Sequence, residues 1–159
     1  MSAMVANDIP DKVKRLILFY PALCVPDDAR TGQMMFAKFD PQNVPQIVKC
    51  GPMKLGRQYV TDVLEMNPFE QIRNYSGPVL IIHGTADDVV AMRYVEQAYD
   101  TYLEGHGGKP SAECQLVTIE GANHGFRGMK ARLWNDYAFF AIEKFIEGKT
   151  IGEKTCKTS

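Results

Sequence analysis

The stretch that decides the fold is Pro78-Val79-Leu80-Ile81-Ile82-His83-Gly84-Thr85-Ala86-Asp87-Asp88-Val89-Val90. From Val79 to Ile82 no polar residue interrupts the run, the pattern of a strand covered on both faces, as in a parallel sheet. Gly84 closes the run and an acidic pair follows in the turn. Working outward, Arg15-Leu16-Ile17-Leu18-Phe19-Tyr20, closed by Pro21, is a second run of the same kind. Glu113-Cys114-Gln115-Leu116-Val117-Thr118-Ile119, followed by Gly121, is a third and weaker one. Helical spacing separates and follows these runs. Residues 91–103 place Val95, Ala98, Tyr99 and Tyr102 on one side and stop at Gly105, a common C-terminal signal. Residues 133–146 repeat Trp134, Ala138, Ala141, Ile142 and Phe145 as an amphipathic stripe, with Gly148 beyond. Asn67-Pro68-Phe69-Glu70 has the cap, proline and glutamate of a helix start. Strand and helix alternate, which predicts an α/β fold with a short parallel sheet, right-handed crossovers and flanking helices.

The composition narrows the function classes. A chain of 159 residues has room for one domain with one core. Hydrophobic residues at 45% and charged residues at 23% place it among folded globular proteins rather than disordered ones. Eighteen basic against nineteen acidic residues leave a net charge of −1, which argues against a nucleic-acid surface. No apolar run approaches the roughly 20 residues that span a bilayer, and the start, Met1-Ser2-Ala3-Met4, lacks the basic n-region of a signal peptide. A cytoplasmic location is the expectation, without nucleic-acid or membrane partners. Cys24, Cys50, Cys114 and Cys156 show no C-x-x-C spacing and read as reduced thiols. His83, His106 and His124 share no helical face, so no metal site is implied.

Between 22 and 64 the pattern loosens. Pro26, Pro41, Pro45 and Pro52 break it while Met34, Met35 and Phe36 supply apolar surface. A stretch this long between two strands reads as a functional insertion of the lid type, set into a domain covering 1–147. The Lys- and Thr-rich residues 148–159 read as a flexible tail.

Chemistry concentrates in the two turns that follow the second and third runs: Gly84-Thr85-Ala86-Asp87-Asp88-Val89-Val90 and Gly121-Ala122-Asn123-His124-Gly125-Phe126. Sites in open α/β sheets gather at the carboxyl ends of strands, where an acid and a histidine can converge. A carboxylate facing an imidazole sets its tautomer and supports the imidazolium formed during proton transfer. Asp87 read on its own is a helix cap and His124 a turn residue; His83 reads as a packed histidine and His106 as a solvated loop residue.

These turns resemble those of the α/β-hydrolase superfamily, in which Gly-x-x-Asp-x-x-Val carries the triad acid and Gly-x-x-His-Gly-Phe the triad base. The resemblance makes Asp87 the acid and His124 the base, in the superfamily's order, although Ala91 replaces the usual proline after Val90. Further segments are similar to the feruloyl and cinnamoyl esterase-like branch: Tyr20-Pro21-Ala22, Leu55-Gly56-Arg57-Gln58-Tyr59 and Gly77-Pro78-Val79-Leu80, in that order. The likeness extends over nearly all of 2–146. It implies ester hydrolysis of a small-molecule substrate without a cofactor, with Tyr59 and Asp28 of the insertion contacting the acyl group. Residue by residue, Tyr59 also reads as a packing tyrosine, and Asp28, in Pro26-Asp27-Asp28, as a turn residue.

One part of the pattern is missing. The superfamily places its nucleophile in G-x-S-x-G, and none of Ser2, Ser76, Ser111 and Ser159 has that setting. Ser2-Ala3 resembles the pair a few residues past the nucleophile, so the chain is expected to begin just downstream of it and to be inactive alone. Two other readings stay open: part of a serine peptidase of the prolyl-oligopeptidase type, which shares both turns, and a non-catalytic partner-binding module. Loss of the neighbouring strand would leave one sheet edge exposed, so self-association through 15–20 is expected.

Overall fold

The structure, a computed structural model, describes residues 2–109 and 111–151. In chain order its main elements are α1 (Ser2–Asp8), β1 (Leu16–Phe19), α2 (Val25–Arg30), β2 (Gln33–Met34), β3 (Ala37–Lys38), β4 (Ile47–Cys50), β5 (Met53–Gly56), α3 (Arg57–Glu65), α4 (Pro68–Ile72), β6 (Val79–Gly84), α5 (Met92–Gly105), β7 (Cys114–Ile119) and α6 (Ala131–Ile146). They form two compact units: the residues up to Ala22 together with those from Phe69 onward, and Leu23–Pro68.

The first unit is built on a sheet of order β1-β6-β7, parallel throughout. The three apolar runs in the sequence are its strands, and the alternation with helices gives the α/β architecture expected. Every residue of β6 is buried. Trp134, Ala138, Ala141 and Phe145 of α6 form a stripe that packs on Leu80 and Ile82 of β6 and Val117 and Ile119 of β7. Strand alternation turns Val79, Ile81 and His83 the other way, and α5 packs on β6 and β7 as well. A strand enclosed on both sides needs apolar residues at every position, which is why its sequence does not alternate. Truncating a side chain in this layer, such as Ile82→Ala, costs about 2–5 kcal/mol.

The register sets up the site. His83 pairs with Thr118 and Gly84 with Ile119, so the turns after β6 and β7 leave the sheet at the same level. Of the 148–159 stretch expected as a tail, two residues are tied to β7. The Gln115 amide donates to the carbonyl of Lys149 (3.1 Å) and accepts from the N–H of Ile151 (2.7 Å). Residues 152–159, with Cys156 and Ser159, lie outside the described residues.

The second unit takes in most of the 22–64 stretch. Two short antiparallel hairpins, β2-β3 and β4-β5, and helices α2 and α3 enclose a small core of Ala29, Met34, Ala37, Val44, Val48, Cys50, Val60 and Val63. Neither hairpin was anticipated. Their strands are two to four residues long, and β4 buries only Val48 and Cys50 while exposing Ile47 and Lys49. Two alternations are too few for a period to emerge from the sequence. Arg30 ties the unit's helices together: its Nε donates to the Leu64 carbonyl (3.0 Å), its Nη2 to the Met66 carbonyl and its Nη1 to Asp27 (2.8 Å). Leu64 lies in the last turn of α3, where helix carbonyls lack intrahelical donors.

Candidate active site

The two turns are joined by backbone hydrogen bonds before any side chain is considered. The N–H of Thr85 donates to the Ile119 carbonyl (3.0 Å) and that of Ala86 to the Ala122 carbonyl (3.0 Å). The N–H of Gly121 donates in return to the Thr85 hydroxyl (2.8 Å). Gly84 permits this approach, since a Cβ there would run into the backbone carbonyl of Ala122. The glycine of the Gly-x-x-Asp pattern is therefore a requirement of the neighbouring turn.

Asp87 and His124 meet across this junction. The Nδ1–H of His124 donates to Oδ2 of Asp87 at 2.9 Å. The Asp87 side chain is 1% exposed while that of His124 is 31% exposed, so a buried anion backs an imidazole open to solvent on its far side. The other carboxylate oxygen of Asp87 accepts the N–H groups of Val89 (2.9 Å) and Val90 (2.8 Å). That oxygen closes the turn ahead of α5 and does not cap the helix, whose N-cap is Ala91 without a side-chain cap bond, while the pairing role falls to Oδ2. Burial by itself would raise the Asp87 pKa. The hydrogen bonds from Val90, His124 and Val89 outweigh it and hold the carboxyl below its ordinary 3.8, because each donor favours the charged form. Asp88 is exposed.

Two contacts at this site were not anticipated. His83 is fully buried; its Nε2–H donates to the Val90 carbonyl at 3.0 Å and lies 3.7 Å from Oδ2 of Asp87. Its Nδ1 is buried without a hydrogen-bond partner among the described residues. Burial first, and the nearby His124 second, lower its pKa, outweighing the opposing pull of Asp87 and Val90, so His83 is a neutral strut beneath the Asp87 turn. Tyr20, just past β1, lies against the His124 ring with centroids 4.9 Å apart. The available signal for both was position: each lies at the carboxyl end of a strand. His106 also differs from expectation. It is half-buried and its Nδ1–H donates to the Tyr102 carbonyl (2.8 Å), which makes it the closing residue of α5 rather than a solvated loop residue.

The residues expected of the insertion lie in the second unit. Tyr59 is 51% exposed on α3, whose buried side carries Val60 and Val63. Asp28, also exposed, places its carboxylate near the Cys24 thiol. Burial, followed by this carboxylate, pushes that thiol up to about 12, an inert state for a cysteine. The Met34, Met35 and Phe36 cluster divides: Met34 enters the unit's core, while Met35 and the 83%-exposed Phe36 form the tip of the β2-β3 hairpin.

A short parallel sheet flanked by helices, with an acid and a histidine at adjacent carboxyl ends, has the architecture of the α/β-hydrolase fold. Residues 51–148 match the prolyl oligopeptidase family, and the chain belongs to it. Among solved structures it is similar to Est1E from Butyrivibrio proteoclasticus, with a TM-score of 0.73 and 28% identity over 91% of this chain and 56% of that one. Est1E with ferulic acid bound aligns with a TM-score of 0.71 and 28% identity, over 91% of this chain and 55% of that one. The monoacylglycerol lipase of Paleococcus ferrophilus shares the fold at 15% identity and a TM-score of 0.58, over 92% of this chain and 64% of that one. The chain therefore spans little more than half the length of Est1E. No curated protein matches it by sequence. Among the described residues no helix is long and apolar enough to cross a membrane.

Proposed function

We propose that Asp87 and His124 are the acid and base of a carboxylic ester hydrolase that works through an acyl-enzyme, its nucleophilic serine supplied by sequence outside these 159 residues. The observation that carries this reading is the 2.9 Å hydrogen bond from His124 Nδ1 to Asp87. With the proton on Nδ1, the lone pair of Nε2 is left to act as the base. It would take the proton of the serine hydroxyl as the oxygen attacks the ester carbonyl, then return it to the departing alcohol. Water repeats the cycle on the acyl-enzyme. The Asp87 carboxylate, buried and acceptor-only, holds the tautomer and offsets the imidazolium charge. The likeness to Est1E with ferulic acid bound supports an aromatic acyl group as substrate. Tyr59 and Asp28, exposed on the second unit, are the groups we assign to its ring hydroxyl. Buried free thiols at Cys24, Cys50 and Cys114 fit a reducing compartment, so we place the protein in the cytoplasm.

The test begins with the chain by itself. Oxyanion donors are worth on the order of 10²–10³ in rate, and without a nucleophile the covalent route is closed. The isolated chain is expected to cleave aryl esters no faster than free imidazole at equal concentration. Joined to an upstream hydrolase segment carrying G-x-S-x-G, it should become active. In that protein Asp87→Asn should remove activity by about 10⁴-fold and His124→Ala by about 10⁶-fold, and Asp88→Asn should be close to neutral. Saturable turnover by the isolated chain, with a phosphonate probe attached to one of its own serines, would overturn the proposal. The family match favours one other reading, cleavage of a peptide bond beside proline. A preference of the joined protein for prolyl anilides over feruloyl esters would select it.

A further inference from the structure

We propose that Tyr20 is a positioning residue whose ring holds the His124 imidazole against Asp87. This rests on the acid–base reading of that pair. A single hydrogen bond from Nδ1 leaves the imidazole free to tilt about it, and His124 stands on a turn with its side chain partly in solvent. Something else must fix the ring plane. The Tyr20 ring lies 4.9 Å from it, tilted by 59°, and is itself held edge-on by Phe126 at 5.3 Å and Phe19 at 5.9 Å.

The backbone shows that this placement is imposed. Tyr20 still belongs to the β1-β6 ladder, since its N–H donates to the Ile82 carbonyl (2.8 Å). In an extended strand consecutive side chains point to opposite faces, yet Phe19 and Tyr20 both reach Phe126. The φ of +36° at Tyr20 breaks the alternation and swings its ring onto the His124 side. That conformation is disfavoured twice, for an aromatic residue and for one preceding proline, here Pro21. Phe126, two residues after His124, is also left-handed, at +50°. Strained residues of this kind persist where surrounding packing dictates them, and they cluster at functional sites. Two of them flank one imidazole here.

The experiment uses the 159-residue chain and needs no turnover. Histidine-selective NMR can follow the Nδ1–H proton of His124, which the Asp87 bond shields from exchange with water, while the signals of buried His83 report the fold. Tyr20→Phe should leave that exchange as it is, because the tyrosine hydroxyl makes no hydrogen bond among the described residues. Tyr20→Leu should speed it at least tenfold with the His83 signals in place. Should the leucine variant fail to fold, Tyr20→Gly removes the ring while accepting the positive φ, and it should show the same acceleration. Wild-type exchange in a folded leucine or glycine variant would overturn the inference. The acid–base reading fails separately, in the esterase assay of the joined protein, and that failure would leave the exchange result unchanged.

Discussion

At Asp87 one carboxylate oxygen takes two backbone N–H groups and the other takes an imidazole, and both arrangements require the anion. A carboxyl held below its ordinary 3.8 stabilises the fold above its unfolded pKa and loses that contribution as pH falls through the lower folded value. His83 acts higher on the pH scale. Its folded pKa lies below 6.5 because of burial, so unfolding takes up a proton as pH drops under about 6.5, and stability declines from there. Melting temperature measured from pH 8 to 3 should therefore fall in two stages, below about 6.5 and again below about 4. His83→Gln, which keeps a donor for the Val90 carbonyl, should flatten the first stage, and Asp87→Asn the second. An unchanged profile in either variant would refute its assignment. Gly84→Ala is a separate expectation at this scale. Its new Cβ meets backbone at Ala122 and cannot be relieved by a rotamer change, so a loss of about 1–3 kcal/mol or more should appear in denaturant melts.

Among the elements, β1 is exposed to a hazard that β6 is not. It lies at the end of the β1-β6-β7 order, and its ladder to β6 uses the N–H groups of Leu16 and Tyr20, which places those of Ile17 and Phe19 on the open edge. An apolar strand with unpaired donors is a template for another chain. Sedimentation of the 159-residue chain should show association that grows with concentration. Ile17→Pro should reduce it without unfolding the sheet, since proline there removes an edge donor and no bond to β6. A clean monomer at every concentration would remove this expectation.

For the molecule as a whole, the apolar cluster centred on Leu80, Ile82 and Trp134 and the one centred on Met34, Val48 and Val60 belong to different units. Separate cores can open separately. Val60→Ala removes two buried methyl groups, a loss of about 2 kcal/mol. Its effect on amide hydrogen exchange should be confined to 23–68, with 79–84 and 114–119 protected as before. Equal acceleration in both sets would mean a single cooperative unit.

Some of this was decided by sequence alone, because the relevant interactions are local or periodic. Unbroken apolar runs at 16–19 and 79–82 have one economical use, as strands covered on both faces, and stripes at 3.6 spacing marked α5 and α6. Glycines at 84 and 125 beside an acid and a histidine pointed to two special turns. Other features arise from residues far apart in the chain, which only tertiary structure can bring together. The hairpins of 33–56 become strands because Met34, Val48 and Val60 share a core, not because their own pattern is strong. Gly84 is required by Ala122, thirty-eight positions away in the numbering. His83, legible as a packed residue, carries the Asp87 turn through the Val90 carbonyl. Tyr20 reaches His124 only because its backbone turns left-handed against local preference, a conformation that no reading of Tyr20-Pro21 favours. Local propensity determined the elements, and the register of β6 against β7 determined where their chemistry converges.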